Sequence, residues 1–390
     1  MVKSFQFASP PRIIFRTGSF GSLPSLIKTF GKRAVIVTGD KSFAGSGKEA
    51  FISHKLKDEN INFTVVKISG EPSPADIDGI AARLKDEKYD CVAGIGGGSV
   101  LDAGKAVSAM MYRAESVMEF LEGIGTKEHP GTKLPFIAVP TTSGTGSEAT
   151  KNAVISMVGV NGFKRSLRHD NFMPDIALVD PELTVTCPAA ITAASGMDCF
   201  TQLTEAYLSD KSGNYTDVLA LEGIKAVRGS LIRCFKDGSD LEARSGMSFA
   251  ALTSGICLAN AGLGAVHGFA SSIGGRYNIP HGVICGSLMP SANKITVRKL
   301  RQQTGRSPAL MKYAALGELF IDVKEKSEDY LIDSFIDYLF WLSEELHLPL
   351  LHDLGVKKDD LMEIAKTTDC KNNPVKLSNE ELMEILELRY

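Results

Sequence analysis

No two cysteines in this chain are spaced as CxxC, and the seven present (Cys91, Cys187, Cys199, Cys234, Cys257, Cys285 and Cys370) are an odd number. That argues against a disulfide framework and against a zinc–thiolate site. It fits free thiols in a reducing cytoplasm, each reading first as a small buried hydrophobe. Long apolar runs are also lacking: nothing approaches the ~20 residues of a membrane span. The opening Met1-Val2-Lys3-Ser4-Phe5-Gln6-Phe7 has no signal-peptide core. Net charge is only −3, with Lys and Arg spread along the chain, so neither nucleic acid nor an anionic membrane is an expected partner. Repeats and low-complexity tracts are missing too. What remains is a cytoplasmic globular chain of 390 residues, too long for one ordinary core and expected to form two domains.

The two parts differ in grammar. Up to residue 182, short β-rich runs alternate with helical stretches. Strands are expected at Arg33 to Thr38, Asn62 to Ile68, Asp90 to Ile95, Pro135 to Val139 and Asp175 to Val179, with helices at Pro74 to Lys88 and Ser99 to Met111. That alternation implies a parallel sheet covered on both faces. From 183 to 390 only helical patterns appear, at about 188–209, 215–236, 239–260, 308–317, 325–346 and 378–388. The fold class is therefore an α/β dinucleotide-binding domain (1–182) followed by an all-α domain (183–390), with a site expected at their junction.

The third strand runs into Gly94-Ile95-Gly96-Gly97-Gly98-Ser99-Val100-Leu101-Asp102-Ala103-Gly104-Lys105. Successive glycines let backbone approach a ligand, and a helix opening at Ser99 aims free N–H groups at the same spot, which suits a pyrophosphate. A Walker A loop is excluded, since Gly104-Lys105 lacks the glycine five residues earlier and the following Ser/Thr. GxGxxG is missed through Ser99. Asp40, a possible ribose-binding acid, precedes the loop instead of following it, so the topology is not the ordinary Rossmann one. A second loop, Pro140-Thr141-Thr142-Ser143-Gly144-Thr145-Gly146-Ser147-Glu148-Ala149-Thr150, offers hydroxyls to a ribose, a phosphate or a nicotinamide amide, or is only a polar connection.

In the helical part Asp198 and Gln202 stand at i and i+4 on one helix face. His267 and His281 lie in a separate glycine-rich stretch. One carboxylate and two imidazoles suit a divalent first-row metal with a position open for substrate oxygen. His54, His129, His169, His347 and His352 read as structural.

These motifs resemble the iron-containing (group III) alcohol dehydrogenase family, with the dehydroquinate-synthase-like fold. The resemblance spans essentially the whole chain. It rests on Gly96-Gly97-Gly98-Ser99 with Asp102, the 140–148 loop, Leu178-Val179-Asp180-Pro181, Gly196-Met197-Asp198 with Glu205, and the two histidine segments. It implies a nicotinamide cofactor, NAD or NADP. Gly96, Gly97, Gly98, Ser99 and Asp102 would lie on the pyrophosphate side, and Thr141, Thr142, Asn152 and Lys164 on the ribose and nicotinamide side. Gly39 stands where many NAD-preferring relatives carry Asp, with Asp40 one residue later and Lys41 and Ser42 placed to receive a 2′-phosphate.

Further implications are a divalent metal (Fe or Zn) on Asp198, Gln202, His267 and His281, a small alcohol or aldehyde substrate, and a homo-oligomer, dimer or larger. Asp198, His267 and His281 are the candidate catalytic groups. The family's usual ligands are Asp, His, His and His, so Gln202 departs from the pattern and weakens the metal site. Ser271 stands where many members have a further histidine. A metal-independent reductase like maleylacetate reductase is the alternative, a dehydroquinate-synthase-type lyase a lesser one, and a non-catalytic binding protein the outsider.

Overall fold

The computed structural model describes residues 4–40, 42–159, 162–305, 307–321, 325–370 and 372–390. Among these, the strands are β1 (Arg12–Phe15), β2 (Arg33–Gly39), β3 (Asn62–Ile68), β4 (Cys91–Gly96), β5 (Phe136–Pro140), β6 (Asn152–Met157), β7 (Phe163–Arg168) and β8 (Ile176–Val179). Six of them form one parallel sheet in the order β1-β8-β5-β4-β2-β3. β4 and β5 are buried at every position, as continuous apolar runs in a two-sided parallel sheet must be. Alternation assigns the faces: Val35 and Val37 join one core, Ala34 and Ile36 the other.

The helices of this part are α1 (Leu23–Lys28), α2 (Ser42–Gly45), α3 (Lys48–Asp58), α4 (Pro74–Leu84) and α5 (Gly98–Met110). α4 starts at a capping box formed by Ser73 and Asp76 and ends four residues short of the expected Lys88. All five expected strands are present. The sequence reading missed β1, a four-residue edge strand, and the antiparallel hairpin β6–β7. β1 alternates too briefly, and the polar Phe163–Arg168 run is made a strand by pairing with β6 rather than by its own pattern.

The second part is helical: α6 (Ala189–Leu208), α7 (Asn214–Lys236), α8 (Leu241–Ala261), α9 (Ala265–Arg276), α10 (His281–Arg301), α11 (Pro308–Ile321), α12 (Glu328–Glu345), α13 (Leu361–Thr367) and α14 (Asn379–Glu387). Three of these were not expected, α9, α10 and α13, and the first two carry the histidines. Glycine there marks close helix packing, not loop. A Cβ on Gly268 would meet the Asp369 carbonyl oxygen at 2.2 Å, and one on Gly282 the Ala194 carbonyl oxygen at 2.4 Å. One apolar core spans α6 to α14. Among the described residues no single helix is long and apolar enough to cross a membrane; α8 and α9 pass that test only as a pair bent by 98°.

The parts meet along the 140–150 loop. Gly146 has φ +61°, and a Cβ there would strike the Gly255 nitrogen of α8 at 2.4 Å. The Ser143 and Ser248 hydroxyls lie 3.2 Å apart. Under this loop sits Lys105, 1% exposed, donating to Ser147 Oγ at 2.9 Å, Thr150 Oγ1 at 3.0 Å and the Asn152 carbonyl at 2.7 Å. Burial pushes its pKa down, against the pull of Asp102 and Glu148. A Lys105→Met variant removes a buried cation from fixed oxygens and should cost about 3 kcal/mol. Urea unfolding followed by circular dichroism checks this, and an unchanged midpoint would contradict the role assigned to Lys105.

Candidate active site

In a parallel sheet every strand delivers its C-terminal end to the same edge. The chain passes from β2 outward to β3 on one side, then returns to β4 and proceeds to β5 on the other. The order therefore reverses between β2 and β4, where open α/β sheets hold ligands. Gly39-Asp40 leaves β2 and Gly96-Gly97-Gly98-Ser99 leaves β4 at that crevice, so the acid precedes the glycine loop because of the strand order. Asp40 is exposed there, while Lys41 and the Ser42 side chain lie outside the described residues.

Gly97 is the extended N-cap of α5, with no side chain capping the helix, so its first-turn amides face the crevice. Gly98 is fixed by its neighbour: a Cβ there would meet Thr145 Cγ2 at 2.5 Å. Gly96 is buried at the end of β4, where Val100 of α5 leaves no room for a side chain; it serves helix–strand packing. Thr141 and Thr142 are half-buried at the same edge, Thr142 lying against Gly97. Asp102 is already engaged: Ser147 Oγ donates to Oδ1 at 2.5 Å and the Val154 amide to Oδ2 at 3.0 Å. Its carboxylate ties the second loop and β6 to the phosphate helix.

Asn152 and Lys164 do not meet. Asn152 pairs with Arg168, and Lys164 sits four residues further along the hairpin, opposite Ser156. The Asn152 carbonyl is held by Lys105. Lys164 is ion-paired with Glu71, whose other oxygen accepts from Ser156 at 2.6 Å.

The second constellation forms where α6, α9 and α10 converge. Asp198, Gln202 and Glu205 share one face of α6 and are all buried. His267 Nε2 lies 3.2 Å from Asp198 Oδ1, and its Nδ1 lies 2.7 Å from Glu205 Oε2. Glu205 Oε1 also accepts from the Val266 amide at 2.7 Å, which fixes the carboxylate and through it the ring. His281 Nε2 is 3.7 Å from the same Asp198 oxygen, and Cys285 Sγ is 3.9 Å from His267 Nε2. One ligand atom each from Asp198, His267, His281 and Cys285 lies within 4.8 Å of all the others.

Burial opposes the Asp198 charge, yet His281 and His267 hold its pKa below the usual carboxylate range. Burial takes His281 down to about 4, so its ring is neutral at physiological pH. Burial likewise works against a charge on His267, but Cys285, Glu205 and Asp198 outweigh it and raise its pKa. Gln202 Oε1 is buried with no hydrogen-bond partner, as is His281 Nδ1. An acid and two imidazoles whose ligand atoms lie within 4.8 Å of one another fit a divalent cation, and Gln202, one turn from Asp198 on α6, carries the orphaned amide oxygen.

The structure brings Asp198, His267 and His281 together, with two neighbours that the sequence did not single out. Cys285 was read as a core thiol, although its i+4 spacing from His281 places both on one face of α10. Glu205 was noted only as part of a motif; it stands seven residues after Asp198, on the same face, and orients His267.

The parallel sheet with its helical second part is the dehydroquinate-synthase-like fold of two-part enzymes. Residues 10–181 match the family described as iron-containing alcohol dehydrogenase and residues 192–390 the C-terminal family of the Fe-containing alcohol dehydrogenases, and the chain belongs to this family of oxidoreductases. It is 30% identical to alcohol dehydrogenase 4 of Saccharomyces cerevisiae over 98% of both chains. It is 34% identical to the probable alcohol dehydrogenase EutG of Escherichia coli, over 77% of this chain and 76% of that one. The crystal structure of a 1,3-propanediol oxidoreductase is similar with TM-score 0.89 at 27% identity, covering 100% of each chain.

Two variants test the site. Gly98→Val drives a branched side chain into Thr145 at the mouth of the phosphate cradle. NADH affinity by fluorescence titration should be lost in a protein whose circular dichroism is unchanged; retained affinity would refute the assignment. Glu205→Ala unties the His267 ring and should weaken divalent-metal affinity by roughly ten- to a hundredfold. Competition with a chromophoric chelator measures this, and unaltered affinity would show that Glu205 does not position the ligand.

Proposed function

We propose that this chain is an NAD(P)-dependent alcohol dehydrogenase or aldehyde reductase, assisted by a divalent metal and acting on a small alcohol or aldehyde. The observation that carries the reading is the approach of the two constellations. The 140–150 loop, beside the phosphate cradle, packs against α6 at Ser195: a Cβ on Gly144 would meet Ser195 Cβ at 2.8 Å. Ser195 is one helical turn from Asp198. On the other side Lys164 and Glu71 reach the neighbourhood of His281, and both contribute to its electrostatics. Division of labour near residue 182, with the dinucleotide on the α/β part and the oxygen-bearing substrate on the helical part, accords with this arrangement and with the separate family matches to residues 10–181 and 192–390.

On this reading the glycine loop and Ser99 bind the pyrophosphate, and Thr141, Thr142, Asn152 and Lys164 the ribose and nicotinamide. Asp198, His267, His281 and the Gln202 oxygen are the residues placed to hold the ion. When bound, the ion would supply Lewis acidity to a substrate oxygen, and the nicotinamide ring would supply the hydride donor or acceptor. The protein contributes orientation: Glu205 fixes His267 through Nδ1, and the neutral His281 ring keeps a lone pair available. Asp198 and His267 are buried while His281 stays partly open, which leaves a side from which a substrate oxygen could enter.

Chelation tests the reading. Protein shown metal-free by elemental analysis should lose reductase activity on an aldehyde panel and regain it with added metal. Full activity in the metal-free state would overturn it in favour of a metal-independent reductase. For the cofactor we infer a tolerant site, since the acid at the end of β2 is displaced by one residue, with Gly39 preceding Asp40. The expected ratio of kcat/KM for NADH and NADPH is below roughly a hundredfold, or about 2.7 kcal/mol; a larger preference would contradict tolerance.

A further inference from the structure

We propose that Cys285 ligates the divalent ion as a thiolate beside Asp198, His267 and His281, and that this donor set shifts the site from iron toward zinc. The inference rests on the metal-assisted reading above and deepens it by naming a ligand and a metal.

Geometry gives the first argument. With Zn–N and Zn–O near 2.0–2.1 Å and Zn–S near 2.3 Å, neighbouring donors of a tetrahedral site stand about 3.4–3.6 Å apart. Within this cluster His267 lies 3.2 Å from Asp198, His281 3.7 Å from Asp198 and Cys285 3.9 Å from His267. The remaining donor pairs lie within 4.8 Å, so an ion drawn between the four needs side-chain shifts of up to about an ångström to reach that spacing. Cys285 is one turn from His281 on α10 and fully buried. Among the described residues it is the one cysteine that joins a group of metal-ligating atoms.

Charge gives the second. Asp198 would be the one anion in direct contact with a dication here, Glu205 reaching it only through His267, and low-dielectric surroundings disfavour the charge left on the ion. A thiolate brings the first coordination sphere to neutrality. Gln202, being uncharged, cannot do this; with the thiolate bound, a substrate oxygen would enter by expansion to a fifth position. As the metal–sulfur bond forms, the Cys285 thiol proton is released to solvent, so no oxidant or reductant is involved. Thiolate with imidazole and carboxylate is a softer set than carboxylate with imidazoles alone, and it favours zinc or cobalt over harder ions.

X-ray absorption on zinc-loaded wild-type protein needs no variant. One sulfur scatterer at about 2.3 Å is expected, and a shell of nitrogen and oxygen only would overturn the proposal while leaving metal assistance intact. Cobalt-loaded wild type should show an intense near-ultraviolet thiolate-to-cobalt band that Cys285→Ser abolishes while weaker d–d bands remain; a band that survives the substitution overturns the assignment. Cys285→Ser should also lower zinc affinity about tenfold more than manganese affinity, and an equal loss for both ions would refute the selectivity. Protein that takes up neither zinc nor cobalt defeats the metal-assisted reading itself, and this inference with it.

Discussion

One buried ammonium group holds the working parts of this molecule in register. Lys105 leaves the phosphate helix α5 and binds the 140–150 loop through Ser147 and Thr150, and the root of the β6–β7 hairpin through the Asn152 carbonyl. Asp102, one turn earlier, is 3.5 Å from the same nitrogen and binds Ser147 and the Val154 amide. The helix α5 is thereby locked to the segment that carries Lys164 toward the cluster of Asp198, His267 and His281. A hydrophobic residue at 105 would fill the volume, but it would not fix the angle between helix and hairpin. Directional bonds from one cation to Ser147, Thr150 and Asn152 do fix it. Such a buried polar network specifies geometry more than it adds stability.

The helical part solves a different problem, which is to keep ionisable groups in a dry site without mutual repulsion. Asp198 and Glu205 are two carboxylates on one helix face, and His267 stands between them, one ring nitrogen toward each. The imidazole separates the like charges. Glu205 spends its second oxygen on the Val266 amide at the start of α9, so a single carboxylate caps that helix and aims its histidine. This linkage makes ligand orientation a property of helix packing. The glycines of α9 and α10 permit that packing, because Gly268 and Gly282 lie against carbonyl oxygens where any side chain would hold the helices apart.

Those same glycines explain what the sequence could and could not disclose. The buried strands β2, β4 and β5 announce themselves by unbroken apolar runs, and the phosphate loop by three adjacent glycines after a strand. Asp198 and Gln202 are legible because i and i+4 spacing survives without tertiary information. In α9 and α10, glycine signals a loop to any local rule, and only the neighbouring chains reveal it as a packing contact. Cys285 was hidden for a related reason. A cysteine in an apolar helix looks like core until the partner helices place two imidazoles and a carboxylate around it. The β6–β7 hairpin was invisible because the polar character of β7 suits a cleft wall, not a buried strand.

The order of the sheet shows how far topology alone constrains function. With the reversal lying between β2 and β4, the crevice at their C-terminal ends is flanked by the 39–40 turn on one side and the 96–99 turn on the other. An acid that precedes the glycine loop in sequence is then adjacent to it in space, which removes the apparent conflict with an ordinary dinucleotide fingerprint. The next strand, β5, pairs with β4 up to Pro140, so the loop that follows must continue along the same edge. Its glycines at 144 and 146 carry it onto α6 and α8. From there one helical turn separates Ser195 from Asp198. The distance between the 96–99 turn and the ionisable cluster is thus set by strand pairing and by two close contacts at Gly144 and Gly146. It does not depend on any side chain that substrate specificity would require to vary, so the helical part is free to change its pocket while the reacting centres keep their spacing.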